Sequence, residues 1–384
     1  MRILLYYACG VFAAAQLGKF AALSPLISRE LHLGLAAMAA LTSLLEVCGA
    51  TLGGVAGYWL PRLGLRRGLS LAVLSLVIGS AAAAFAQDVV TLTLARLLES
   101  LGYLVVVVAA PVLVARAAHG RRQAAAMALW STFVPVGMAV GAWTYANAAG
   151  VMGWRTAQVL SVAGGVLLWL GLRRIPSAHE AALADEHRHP GRTGVLLWAL
   201  VAAFGAYAIA EVGLLALLPS LLTQGGMSLG AAGSWTAVAA LANVPASALG
   251  AWLLRRHGAR SSTIAVAMGL SLLLSGLCFL GVMRDGGASE MQAPLAVAIN
   301  LCSGVFPSLV FALLPLAAGS PERLSLASGR LTQFGASGAL MGPPLVGAVV
   351  ERWGWSSAGG VSLGLSLLAV PLALLAWRRL HRGP

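Results

Sequence analysis

Apolar runs of about 20 residues follow one another along nearly the whole chain, separated by short stretches that carry most of the arginines. A helix of about 20 apolar residues crosses the roughly 30 Å hydrocarbon core of a bilayer. Only 10% of the residues are charged and 59% are hydrophobic, whereas soluble domains carry about 25% charged residues. A water-soluble fold could not bury so much apolar surface. The sequence therefore predicts an all-α polytopic membrane protein.

Charged, glycine and proline clusters interrupt the apolar runs at regular intervals, and this punctuation predicts twelve transmembrane helices. The predicted helices cover residues 4–27, 36–60, 69–87, 90–114, 124–147, 157–174, 195–219, 230–254, 261–283, 293–317, 325–349 and 357–377.

The basic residues of the loops are distributed unevenly between the two sides of the predicted membrane. If the N-terminus is inside, 19 basic residues fall on that side and 4 on the other. Cytoplasmic loops carry such an excess of arginine and lysine, so we expect both termini in the cytoplasm and a multi-pass protein of a bacterial inner membrane. The net charge of +13 resides largely in these loops, which indicates the lipid bilayer as partner and argues against nucleic acid.

The longest polar stretch, residues 173–192, divides the predicted helices into six and six. It predicts an N-terminal six-helix bundle (1–174), a cytoplasmic linker (175–194) and a C-terminal six-helix bundle (195–384). Within it, His179 and Glu180 begin an HExxH pattern that lacks the second histidine. We therefore predict a solvated loop there, with no metal and no cofactor.

The two halves also resemble each other. Residues 57–66 and 251–260 follow the second and eighth predicted helices at an offset of 194. A GxxxG pair followed by Gly-Trp occurs in each half, with Gly137/Gly141 in the first and Gly338/Gly342 in the second, at an offset of 201. This pattern predicts a duplicated six-helix unit, a plan that transporters use to place a substrate site between two halves near the midplane.

At these residues the chain resembles the major facilitator superfamily over essentially its whole length. The family's loop G-x-L-A-D-R-x-G-R-R is matched by five residues, with Pro61 in the place of the aspartate, and the repeat places a counterpart in the second half. The resemblance implies that these residues form a cytoplasmic gate loop: Gly57, Arg62, Gly64, Arg66 and Arg67, with Arg256, Gly258 and Arg260 as the counterpart. In the family the missing carboxylate helps to hold the cytoplasmic side shut, so Pro61 leaves that latch in question.

The family's helix 4 motif R-x-x-Q-G-x-G is matched by Arg96 and Gly102, with Glu99 in the place of the amide. Together with Lys19, this segment is also similar to the cyanate-transporter-like branch. The resemblance implies an alternating-access secondary transporter, expected to be a monomer, rather than an enzyme.

Five ionisable residues lie inside predicted helices, all roughly 9 to 15 Å below the predicted outer boundary: Lys19, Glu46, Arg96, Glu99 and Glu211. Unpaired, they would cost on the order of 12 to 17 kcal/mol. They must therefore pair, become neutral or face water.

The family fold implies that helices 1, 4 and 7 line a central cavity, which would bring Lys19, Arg96, Glu99 and Glu211 toward one space. We predict substrate contacts from Lys19, Arg96, Glu99, Gln16 and Asn243, and proton coupling by Glu211, Glu99 and Glu46. The alternatives are an ion-pair network that only locks the first half, a structural Glu46 at the helix 2 and 11 boundary, a solvent-facing Glu211 and an interhelical hydrogen bond from Asn243.

Two buried cations favour proton-linked transport of a small anionic or zwitterionic organic solute. The alternative is a proton-coupled drug or metabolite exporter with a broad apolar cavity, in which Glu99 and Glu211 attract cations. A membrane enzyme would need a metal or nucleophile constellation, and none occurs in the sequence. A channel is disfavoured by the duplicated architecture.

Overall fold

The structure is a computed structural model that describes residues 2–117, 126, 129–130, 132–174, 194–259, 261–318 and 321–382. Within these ranges all regular secondary structure is helical, as predicted. The elements are α1 (Arg2–Glu30), α2 (Leu35–Ser43), a 3-10 turn (Leu44–Glu46), α3 (Val47–Leu63), α4 (Leu65–Ala84), α5 (Val89–Ala117), α6 (Phe133–Met152), α7 (Trp154–Arg173), α8 (Val195–Gln224), α9 (Leu229–His257), α10 (Ser262–Val282), α11 (Ser289–Ser303), α12 (Val305–Ala318) and α13 (Pro321–Arg382).

Ten stretches of the described chain are long and apolar enough to span a membrane. One of them joins α2 to α3 through the 3-10 turn, and another joins α11 to α12. The last stretch contains Gly354, whose φ of 82° separates two helices that otherwise run as one. These stretches confirm a polytopic helical protein, while the count of twelve spans stays a prediction.

The two GxxxG pairs pack in the same way, one in each half of the sequence. Gly141 on α6 lies so close to the carbonyl of Ala15 on α1 that a Cβ would not fit. Gly342 on α13 meets the carbonyl of Ile209 on α8 in the same manner. Ala15 and Ile209 are 194 residues apart, which is the offset of the sequence repeat. Small residues thus allow the helix backbones of each pair to approach closely.

Two pairs of glycines at the repeat offsets share a backbone conformation that only glycine adopts freely. Gly64 and Gly258 end α3 and α9 with φ of 86° and 76°. Gly153 and Gly354 precede α7 and the last helical segment with φ of 79° and 82°. The repeated sequence therefore corresponds to repeated backbone geometry, and the domain boundaries themselves stay a prediction.

Gly153 and Gly354 are each followed by a tryptophan that begins the next helix. The indole of each tryptophan donates a hydrogen bond to a residue at the end of another helix. Trp154 Nε1 donates to Glu30 at the end of α1, at 2.6 Å. Trp355 Nε1 donates to Gln224 at the end of α8, at 3.1 Å. This pair of contacts also follows the repeat and was not predicted from the sequence.

The start of the last helical segment is capped by Asp285 from the preceding loop. The backbone N–H groups of Trp355 and Ser356 donate to its carboxylate at 2.7 and 3.1 Å. These hydrogen bonds stabilise the ionised form, so they lower the pKa of the Asp285 carboxyl below its ordinary value.

Candidate functional site

Three of the predicted site residues form one ion-pair cluster inside the first half. Lys19 Nζ lies 2.8 Å from Glu99 Oε1, and an Arg96 guanidinium nitrogen lies 2.6 Å from Glu99 Oε2. All three side chains are 0% exposed. One carboxylate on α5 therefore pairs with two buried cations, one from α1 and one from its own helix.

The break in the second span positions Arg96. Its Nε and its second terminal nitrogen donate to the carbonyls of Leu41 and Thr42 at 3.3 and 2.7 Å. These residues end α2 just before the 3-10 turn, and the last carbonyls of a helix lack partners within it. The guanidinium also lies 4.0 Å from the centre of the Phe20 ring, a favourable cation–π distance.

A chain of uncharged polar groups extends from Glu99 to α7. Ser80 Oγ lies 2.7 Å from Glu99 Oε1 and 3.3 Å from Gln16 Oε1. Ser161 Oγ is also 3.3 Å from Gln16 Oε1 and 2.5 Å from the Tyr145 hydroxyl. Gln16, a predicted substrate contact, therefore connects this chain. Sequence reasoning missed Ser80, Ser161 and Tyr145, because a hydroxyl inside an apolar helix leaves only a weak signal.

Glu46 joins the same cluster from the 3-10 turn. Its carboxyl hydrogen-bonds the Tyr103 hydroxyl and lies within electrostatic range of Arg96. One turn further along, Gly49 packs against Ala336 of α13. Glu46 therefore sits between the charged cluster and the contact with the second half, and its predicted coupling role stays a prediction.

Glu211 lies on α8, apart from these charges. Its side chain is 5% exposed, and its Oε1 atom has no hydrogen-bond partner. Its neighbours are the polar groups of Tyr207, Cys302 and Ser303. The structure thus brings together Lys19, Arg96 and Glu99 and leaves the expected shared space with Glu211 as a prediction.

Asn243 on α9 lies near the Glu211 group. The Tyr207 hydroxyl is beside it, and its Oδ1 accepts a hydrogen bond of 3.2 Å from Ser247. Its side chain also packs where Gly304 separates α11 from α12. Asn243 therefore joins three helices, and its predicted contact with substrate stays a prediction.

Most of the predicted gate-loop residues lie at or near the ends of α3 and α9 and the start of α4. These are corresponding positions of the sequence repeat. Arg66 donates to the carbonyl of Leu172 at the end of α7, at 3.1 Å. Arg256 lies 5.5 Å from the centre of the Trp252 ring. The remaining predicted gate residues occupy these positions: Gly57 within α3, Gly64 and Gly258 at helix ends, Arg67 exposed on α4, Arg62 on α3 where side chains are not described, and Arg260 outside the described residues.

Comparisons with known proteins assign this architecture. A family model described as the Major Facilitator Superfamily matches residues 6–319 and 200–384. A crystal structure of a bacterial homolog to the human lysosomal transporter Spinster, inward-facing and occupied, matches with a TM-score of 0.74 at 16% identity over 98% of this chain and 94% of that chain. Its inward-facing, unoccupied form matches with a TM-score of 0.74 at 15% identity over 98% and 97%.

At such identities the two structures support the fold alone. No curated protein sequence matches the chain. The family model covers far more than half of the sequence, and ten apolar stretches of membrane-spanning length accompany it. The chain therefore belongs to the major facilitator superfamily of membrane transporters.

Proposed function

We propose that this chain is a secondary active transporter that couples the movement of a small organic solute to protons, with Glu211 as the group that takes up and releases the proton. The observation that carries the proposal is the buried Oε1 of Glu211, which has no hydrogen-bond partner. A buried carboxylate without a cation is costly in a membrane. Glu211 is therefore most stable when it binds a proton or a cation, and loading and unloading it changes the energy of the surrounding helices.

The other two predicted coupling residues are less suited to this role. Glu99 is held by Lys19 and Arg96, so its negative charge is already compensated and protonation would leave two cations unpaired. Glu46 has a hydrogen bond from Tyr103 and a cation nearby. The titratable groups that face Glu211 are the Tyr207 hydroxyl and the Cys302 thiol, and neither compensates a carboxylate at neutral pH.

The charge of the solute remains part of the proposal. An anionic or zwitterionic solute would bind at Lys19 and Arg96, whose donors are engaged by Glu99, Ser80 and two backbone carbonyls. It would therefore have to displace these partners. A cationic solute would meet the Glu211 carboxyl, which among the described residues is faced by the neutral Ser303 hydroxyl and by no cation, and Glu211 accordingly favours the cation. The arginine distribution supports a bacterial inner membrane with both termini cytoplasmic, and we expect a monomer.

The experiment uses proteoliposomes and a solute selected by its stabilisation of the purified protein. Wild-type protein should accumulate or expel the solute when a pH gradient is imposed. Glu211→Gln should lose the response to the gradient and retain exchange of internal for external solute, because exchange needs no net proton movement. Glu290→Gln, which alters an exposed acid at the start of α11, is the matched control. A Glu211→Gln variant with unchanged gradient-driven transport would refute the proposal.

A further inference from the structure

Among the described residues of the second half, four side-chain oxygen atoms are buried without a hydrogen-bond partner. One of them, Gln292 Oε1, lies near the start of α11. The other three lie on α8 and near the end of α11. They are Glu211 Oε1, Asn300 Oδ1 and Ser303 Oγ, on residues that are 5%, 1% and 0% exposed. A buried polar atom is normally satisfied. Two of the three can only accept a hydrogen bond, and the hydroxyl can accept one as well. Among these three atoms only the Ser303 oxygen carries a hydrogen that it can donate, to the neighbouring Glu211 carboxyl, so the group has more acceptors than donors.

These oxygens belong to two helices that meet at one place. Ser303 lies beside the Glu211 carboxyl, and Asn300 precedes Ser303 by three residues on α11, which places both on one face of that helix. The helix ends at Ser303, with Gly304 separating it from α12. Gly304 keeps helical backbone angles and α12 begins at Val305, so α11 and α12 run almost continuously past the Glu211 carboxyl.

Aromatic rings continue from this group along α8 and α12. The ring centres of Tyr207 and Phe306 are 5.4 Å apart, and those of Phe204 and Tyr207 are 6.0 Å apart. Phe204 in turn contacts Phe311 at 5.7 Å, and Phe311 is 43% exposed. The faces of such rings attract cations and pack against flat apolar groups. The rings therefore connect the unpartnered acceptors to the surface of the described chain.

We propose that Glu211, Asn300 and Ser303 bind the ammonium group of an organic amine whose aromatic body packs against Phe204 and Tyr207. A primary ammonium supplies three N–H donors and one positive charge, which matches three acceptors and one negative charge. The inference rests on the proposed function, because the ammonium group and the proton compete for the same carboxylate. Loading of one therefore releases the other.

Other ligands match these groups less well. A sodium ion prefers a shell of several oxygens and gains nothing from a flat apolar wall, whereas an alcohol or a carboxylate brings no positive charge to Glu211. In the first half, the unpartnered side-chain atoms among the described residues are the two ends of the Gln158 amide. An amide offers both a donor and acceptor and does not select an ammonium group.

The test measures equilibrium binding to the full chain in lipid nanodiscs at neutral pH. The probes are 2-phenylethylamine and tryptamine, with 2-phenylethanol and 3-phenylpropionate as neutral and anionic compounds of the same shape, and sodium chloride alone. We expect saturable binding of both amines and no binding of the alcohol or the carboxylate. Glu211→Gln should weaken amine binding roughly tenfold or more, because it removes a charge-assisted hydrogen bond. Lowering the pH should weaken amine binding to the wild type.

Three further variants keep the result interpretable. Ser303→Ala should weaken amine binding several-fold, Glu211→Asp should restore part of the affinity lost in Glu211→Gln, and Glu290→Gln should leave it unchanged. If Glu211→Gln does not fold, Ser303→Ala and Glu211→Asp still test the site. Absence of binding for both amines, equal binding of the alcohol, or stabilisation by sodium alone would each overturn the ammonium site.

The two proposals fail separately. If Glu211→Gln abolishes gradient-driven transport while neither amine binds to the wild type, the ammonium site is wrong and the proton role of Glu211 stands. If the amines bind through Glu211 while Glu211→Gln transports with unchanged dependence on the pH gradient, the proton role is wrong and the ammonium site stands.

Discussion

At Glu99, a single carboxylate satisfies Lys19 and Arg96 in a place that water does not reach. Removing one member of a buried ion pair leaves an uncompensated charge and typically costs about 3 to 5 kcal/mol. We therefore expect Glu99→Gln, which keeps the shape and removes the charge, to lower the free energy of unfolding by about that amount. Denaturant or thermal unfolding of the purified protein measures it.

The charge of Lys19 supplies the control for this substitution. The double variant Lys19→Met, Glu99→Gln removes one cation together with the anion, so it should lose less stability than the sum of the two single variants. Ser80→Ala removes the hydroxyl that donates to this carboxylate and accepts from Lys19. It leaves both ion pairs in place and should cost about 1.5 to 3 kcal/mol. An unfolding midpoint for Glu99→Gln equal to that of the wild type would show that the ion pairs contribute little.

The sequence predicts this cluster only in part. Charges inside apolar runs must find partners, and that requirement selected Lys19, Arg96 and Glu99 without any coordinates. It does not specify that Arg96 donates to carbonyls at the end of α2, because those carbonyls become available only where the helix changes to a 3-10 turn. Nor does it specify that Glu211 lacks a partner, since that depends on which neighbours fold against it.

The helix pair α1 and α6 depends on glycine, and so does the pair α8 and α13. A Cβ at Gly141 would press against the backbone of α1, which has no flexible end that could move aside. We expect Gly141→Ala to separate the helices and to cost about 1 to 3 kcal/mol, as other overpacked contacts do. Unfolding of the purified protein again provides the measurement.

Gly150 on the same helix is the matched control, because a Cβ there would have nothing within 4 Å. Gly150→Ala should leave stability unchanged or raise it slightly, since alanine favours a helix. By the repeat, Gly342→Ala should reproduce the loss in the second half. Equal stability of the variants at positions 141 and 150 would contradict the close-packing argument.

The elements themselves were largely predictable, and the breaks inside them were not. The predicted helix at 195–219 matches Val195–Gln224, and the one at 90–114 matches Val89–Ala117. Apolar length determines such spans. The turn at Leu44–Glu46 and the break at Gly304 leave the apolar run intact. They alter only the backbone hydrogen bonds, to which hydropathy is insensitive.

For the whole molecule, the two halves are linked at the end opposite the N-terminus by contacts that would break if the halves separated there. Glu351 on α13 accepts a 3.0 Å hydrogen bond from the backbone N–H of Ala36 at the start of α2. The residue before α2, Gly34, supplies no side-chain cap. A Ser24–Ser220 hydrogen bond of 3.0 Å joins α1 to α8 at the same end. The second half therefore caps a helix of the first.

The cap at Glu351 yields a prediction about the conformational equilibrium of the transporter. Loss of a helix cap costs about 0.5 to 2 kcal/mol, and only the conformation in which the halves meet at this end contains the cap. Glu351→Ala should therefore shift the equilibrium roughly 2- to 30-fold toward a conformation open at this end. Glu351→Gln, which keeps an acceptor and removes the charge, should shift it less.

Distances between spin labels follow this equilibrium directly. Labels at Gln87 in the first half and Arg284 in the second, both exposed at this end, should report a larger population of long distances in Glu351→Ala than in the parent with its native cysteines replaced. Glu290→Gln alters an exposed acid that caps nothing across the halves and should reproduce the parent distribution. If Glu351→Ala also reproduces it, the Ser24–Ser220 contact and the apolar packing hold this end closed, and the cap only orders the start of α2.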